Sequence, residues 1–174
     1  MNINVLKFTT LYFCLFSLIG FSQNQNKSLE VDKNQRLFEK TDLLPVKLKY
    51  SRKALRKETN DSTFMDSELV YKAENDDWNS LKMKIRARGN FRRKNCYFIP
   101  LKLKLEKAET KGTMFKGQKK LKMVLPCLNE SSKDDNVLKE YIIYKMFEVV
   151  SPYYFKTRML EIEYSDIRNN KTKV

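Results

Sequence analysis

Between Leu81 and Lys94 the chain reads LKMKIRARGNFRRK, and seven of the thirteen residues from Lys82 to Lys94 are cationic. Side chains of this kind hold anionic oxygens: arginine as a planar fork that meets a carboxylate or phosphate twice, lysine as a point charge. The first eight residues alternate, with Leu81, Met83, Ile85 and Ala87 on one side and Lys82, Lys84, Arg86 and Arg88 on the other. A period of two marks a half-buried strand, because successive side chains leave on opposite faces. Same-face neighbours stand about 6.6 Å apart. Four cations therefore form a row, and Gly89-Asn90 ends the strand before Arg92, Arg93 and Lys94. The same alternation also describes an ordinary antiparallel strand with one face in water, so the rest of the chain has to separate the two.

Other chemistry is excluded by what the sequence lacks. With no histidine in 174 residues, imidazole acid–base catalysis, His-based triads and HExxH zinc sites are impossible. Gly112 and Gly117 have the spacing of a phosphate-binding P-loop, but Gln118 stands where its lysine belongs and no Ser or Thr follows. A hairpin loop containing glycine is the better description. No metal-ligand cluster is expected.

The first 22 residues set the compartment. MNINVLK carries one cation, FTTLYFCLFSLIGF is an apolar run of fourteen, and Gly20 and Ser22 place small residues at −3 and −1 of a cleavage site after Ser22. This pattern is a secretory signal peptide, and the run is too short for a comfortable membrane span. The product is expected to be exported, periplasmic or extracellular, with no membrane span after cleavage. Loss of Lys7 takes the net charge from +14 to +13, which favours anionic partners. Outside the cytoplasm these are a nucleotide or a phosphorylated polymer, and equally anionic lipid or sugar; nucleic acid is not the expected partner. Cys96 and Cys127 remain in an oxidising compartment, where an even pair invites a disulfide closing a loop of about thirty residues. Two separately buried thiols are the alternative.

The elements that position these residues follow in order. Residues 23–44 are polar and weakly patterned, a flexible leader with at most a helical turn near Arg36–Lys40; the domain occupies 45–174. Val46, Leu48 and Tyr50 alternate with Lys47 and Lys49, and Ser51 is placed to cap a short helical turn through Ala54 and Leu55. Glu68–Ala73 is a second strand, Leu81–Arg88 a third. Tyr97–Leu105 alternates again, with Pro100 implying an edge or a bulge, and Lys119–Leu125 completes a hairpin with it. Strict alternation puts Cys96 and Cys127 on opposite faces of that hairpin, so a disulfide needs an irregularity, such as a bulge at Pro100.

Asp134-Asp135-Asn136 then supplies caps and first-turn negative charge to one main helix, VLKEYIIYKMFEVV, ended by Ser151-Pro152. Apolar residues cover most of its circumference, which predicts burial between two layers. The preceding strands supply one layer, and the chain after the helix is too short to supply another. A long strand, Tyr153–Ser165, and an Asn169-Asn170 turn predict a return strand beginning at Thr172, so the domain is expected to be incomplete at its C-terminal end. The fold class is α+β: an antiparallel, β-rich small lobe with one main helix. A strand lysine, Lys122, and a helix glutamate, Glu140, also have the residue types by which kinase lobes position phosphates.

The order Arg88-Gly89-Asn90, a basic step, the strand Tyr97–Leu105, a Gly/Lys turn, Lys119–Leu125, an L-K-E-Y-x-x-Y-K helix and the strand RMLEIEY resembles the spore-coat CotH-type kinase family, over roughly Leu81–Asp166. The likeness is to the N-terminal portion only, in an exported, largely uncharacterised branch. Phe91-Arg92-Arg93 departs from the small hydroxyl residues common after RGN in that family. The resemblance implies a kinase-like small lobe in which Arg88, Gly89, Asn90, Arg92, Arg93 and Lys122 lie at phosphate, and Lys122 and Glu140 form the lobe's ion pair. It implies ATP and Mg only for a complete domain, because the family's downstream acidic residues have no counterpart before Val174. The catalytic residues are unknown, and the chain is not expected to catalyse phosphoryl transfer by itself. The alternative is a secreted basic module that binds anionic polymers without catalysis.

Overall fold

The computed structural model describes residues 36–128, 135–168 and 171–173. The expected signal segment, the expected leader as far as residue 35, the cap position Asp134 and the Asn169-Asn170 turn lie outside the described residues. The turn expected near Arg36–Lys40 is a 3-10 turn, Arg36–Phe38, and Leu37 from it is buried in the core. The last part of the leader is therefore packed, and the first strand begins one residue before Pro45.

That strand is β1 (Leu44–Lys49), followed by helix α1 (Arg52–Glu58). Ser51 caps α1 as expected, its hydroxyl accepting from Ala54 N at 3.2 Å. Next come β2 (Met65–Lys72), β3 (Trp78–Ala87), the short helix α2 (Asn90–Asn95), β4 (Leu101–Leu105), the single turn α3 (Lys107–Thr110) and β5 (Lys120–Met123). The long helix α4 (Asp135–Val150), β6 (Leu160–Asp166) and β7 (Lys171–Lys173) complete the chain. The strands form one seven-stranded sheet in the order β5-β4-β3-β2-β1-β6-β7.

Alternation sorts the two faces of the sheet. Ile85 pairs with Leu103, Ala87 with Leu101, Leu69 with Leu81 and Leu48 with Leu69 across neighbouring strands, and all of them are buried. Leu55 of α1, Ile99, Phe115 and Leu125 close over this face. Each large apolar side chain buried there contributes roughly 1.5–3 kcal/mol. The residues between them point to the opposite face, and most are lysines.

The sheet is mixed rather than purely antiparallel. β6 runs parallel to β1, with Val46 opposite Ile162 and Leu48 opposite Tyr164. A parallel neighbour needs a long crossover, and the segment carrying α4 provides it. Only Leu160–Asp166 of the expected long strand is strand. Before it, Arg158 anchors the chain by donating to Leu37 O at 3.2 Å and pairing with the Asp42 carboxylate at 3.1 Å. The return strand β7 pairs antiparallel with β6, as the Asn-Asn turn predicts.

Helix α4 departs most from expectation. None of its residues is buried, and Leu138, Ile142, Ile143, Met146, Phe147, Val149 and Val150 are exposed. The preceding strands do not supply the layer that its apolar circumference predicts. It ends as expected, with Ser151 N donating to Phe147 O at 3.0 Å.

Candidate anion-binding site

The Arg-Gly-Asn turn sits where the sequence places it, at the end of β3. Gly89 adopts φ +81°, a conformation that favours glycine, and precedes α2. Arg88 is half-buried, its backbone N donating to Pro100 O at 2.9 Å, and Asn90 is exposed as the first residue of α2. Arg92 is half-buried. Arg93 is committed internally: its guanidinium donates to Arg56 O and to Thr59 O at the C-terminal end of α1. The Thr59 hydroxyl in turn donates to Leu55 O at 2.5 Å and accepts from Ala87 N at 3.0 Å. Arg93 thus clamps α2 to the end of α1 by satisfying carbonyls that the helix end leaves open, while the Thr59 hydroxyl ties that end to β3.

The row of cations on β3 is also partly spent. Lys84 pairs with Asp66 at 2.9 Å, which raises the pKa of Lys84. Arg86 is buried, donating to Asp61 Oδ1 at 2.8 Å and Asn60 O at 3.2 Å. Of this row Lys82 is exposed as an ordinary wet face, and Lys84 is half-buried in its ion pair.

Lys122 and Glu140 are not brought together. Among the described residues no ion pair joins them; Lys122 Nζ lies 5.1 Å from the Phe155 ring centroid instead. Phe155 meets the Tyr144 ring of α4 edge-on at 6.3 Å.

Lys122 belongs to a different group, which the hairpin assembles. The β4–β5 register sets Lys102 opposite Lys122 and Lys104 opposite Lys120. The β3–β4 register sets Arg86 opposite Lys102 and Lys84 opposite Lys104. Two rows of three cations therefore cross three strands on the face away from the core. Strands stand about 4.8 Å apart and same-face neighbours about 6.6 Å. Like charges directly opposite are destabilising. Among the described residues no carboxylate forms an ion pair with Lys102, Lys104, Lys120 or Lys122, of which the last three are exposed. Such a block makes the local potential on this face positive.

Sequence reasoning misses Lys102, Lys104 and Lys120 as a group, although the signal is there: K-L-K-L followed by K-L-K on the two arms of a hairpin. The hairpin register, which alternation does not fix, makes them a block.

Two further groups hold the sheet's edges. Cys96 and Cys127 form a disulfide with Cα atoms 4.6 Å apart. Continued in register, the β4–β5 ladder would set Tyr97 opposite Cys127, and Tyr97 N does donate to Cys127 O at 2.7 Å. The irregularity needed is supplied because β4 starts only after Pro100, leaving Cys96 at the end of α2 free of the strand's alternation. Buried Asp166 lies 3.5 Å from Arg52 Nε, and the Arg52 guanidinium stacks 3.6 Å from the Tyr97 ring centroid. Burial raises the pKa of Tyr50 and Tyr164 beside it, and Tyr164 donates to Tyr50 O at 2.9 Å. This cluster ties β1, α1 and β6 together.

Among the described residues no group of three or more cysteine, aspartate or glutamate side chains is placed to hold a metal ion, and no helix is long and apolar enough to cross a membrane. No family model matches the sequence, and neither a curated protein nor a solved structure matches the chain.

Proposed function

We propose that this chain is an exported, non-catalytic module that holds an anionic polymer on the cationic face of its sheet. The observation that carries this reading is the block Lys102, Lys104, Lys120 and Lys122, where like charges face each other directly and no carboxylate among the described residues pairs with them. An intramolecular role for these lysines would place acidic groups among them, as Asp66 and Asp61 are placed beside Lys84 and Arg86. The full chain should bind an anionic polymer with an affinity that falls steeply between low and physiological salt, because screening shortens to about 8 Å at 0.15 M. Affinity independent of salt, or none at low salt, overturns the proposal.

A second reading, the kinase-like small lobe of a CotH-type protein, has one observation in its favour. Helix α4 is apolar over most of its circumference and buries no residue, as expected of a lobe that lacks its neighbouring layer. In that reading Arg88, Asn90 and Arg92 turn to phosphate, with ATP and Mg bound by a complete domain. Calorimetry with ATP and Mg tests it, and an absence of heat with the complete protein removes it.

A further inference from the structure

We infer that the polymer held on this face is an acidic polysaccharide, lying across β5 and β4 with about one charged sugar over each strand; this rests on the anion-binding reading above. The two rows, Lys122–Lys102–Arg86 and Lys120–Lys104–Lys84, run perpendicular to the strands. Their step is the strand spacing of about 4.8 Å, close to the length of one sugar unit in a linear chain. A polymer with a carboxylate on every sugar therefore meets a lysine over β5 and over β4, while the β3 ends of the rows, Arg86 and Lys84, already hold Asp61 and Asp66. Polyphosphate carries its charges more closely than the lattice does.

The surroundings select sugar over nucleotide. Phe155 lies at the end of one row against Lys122, and both it and the nearby Tyr153 are largely exposed, at 67% and 87%. An exposed ring beside a cation offers an apolar face to the C–H side of a sugar while the ammonium meets its carboxylate. Single-stranded nucleic acid needs an aromatic platform for successive bases. The strand positions that form the lattice, 82–86, 102–104 and 120–122, carry no aromatic residue.

The test uses the full chain with three polymers matched in charge concentration: polygalacturonate, polyphosphate and oligodeoxythymidylate. Three variants accompany it: Lys104→Ala with Lys120→Ala, Phe155→Ala, and the control Lys53→Ala with Lys57→Ala on exposed positions of α1. The proposal expects polygalacturonate to bind tightest. The lattice pair should weaken it about tenfold, equivalent to 1.4 kcal/mol, Phe155→Ala should weaken it for polygalacturonate alone, and the control should leave it unchanged. If polyphosphate or the oligonucleotide binds tighter, or Phe155→Ala weakens all three equally, the polysaccharide is wrong while anion binding stands. If the control pair costs as much as the lattice pair, the lattice is not the site. If no polymer binds, both proposals fail.

Discussion

Lys104 of β4 and Lys120 of β5 lie directly opposite each other, with Lys84 of β3 on the far side of Lys104. A protein under selection for stability alone would replace one of the two facing lysines with glutamate. Lys120→Glu should therefore stabilise the β4–β5 pair by up to about 1 kcal/mol and at the same time weaken binding of an anionic polymer. Thermal unfolding and a binding titration on the same sample check this. A variant that is less stable and binds equally well contradicts the role given to the block.

Arg93 separates a structural role from a phosphate contact. Its guanidinium donates to Arg56 O and Thr59 O, so Arg93→Ala should cost about 1–3 kcal/mol of stability by leaving carbonyls without donors. Anionic-polymer affinity, measured where the variant is folded, should stay within a factor of about two, well under the tenfold of 1.4 kcal/mol. Intact stability with lost affinity would restore the phosphate role expected from the sequence.

Arg88-Gly89-Asn90 was legible as a turn because glycine breaks a clear alternation, and the strands were legible because lysine and leucine alternate so strictly. The fate of the arginines was not. Arg86 and Arg93 find their partners in the loop after α1, Thr59 to Asp61, more than twenty residues away in sequence, and periodicity carries no information about such contacts. The long helix was found for its capping and length, but its apolar circumference says only that a helix wants cover, not where cover lies. Lys102, Lys104 and Lys120 were visible as strand residues. Their conjunction depends on hairpin register, which strand alternation does not fix.

The disulfide Cys96–Cys127 spans a sequence separation of 31 and closes the hairpin's open end. Its loss, by reduction or by Cys96→Ser with Cys127→Ser, should lower stability by about 3–4 kcal/mol. Chemical unfolding with and without reductant measures this. An unchanged midpoint would mean that the backbone bond from Tyr97 N to Cys127 O already fixes the same geometry.

Asp166 is buried against Arg52, and removal of one partner of such a pair leaves a charge uncompensated. Asp166→Ala should cost about 3–5 kcal/mol, far more than Asp66→Ala at the exposed Lys84 pair. Urea unfolding of the two variants compares them directly; equal losses would mean the Asp166 cluster does not tie the sheet together.

Alkali should attack the same cluster. Burial raises the pKa of Tyr50 and Tyr164 above the ordinary 10.0, and the Asp166 charge raises both further. Below 10.0 these phenols are neutral in both folded and unfolded chains, so their contribution is fully present. Above it the unfolded chain ionises first, and stability is lost progressively as pH rises. In a spectrophotometric titration, Tyr50 and Tyr164 should ionise only together with loss of circular dichroism. Ionisation of both near 10.0 in a folded chain would contradict their burial.

The central claim is that the β4–β5 lysines form an anion-binding face, and the salt dependence of binding tests it most directly. The affinity of the full chain for an anionic polymer should be measured across ionic strength, for the native protein and for Lys102, Lys104, Lys120 and Lys122 all changed to alanine. The account predicts a steep fall with salt for the native protein and a much weaker, flatter response for the variant, with its fold retained. Two superimposable curves would contradict it.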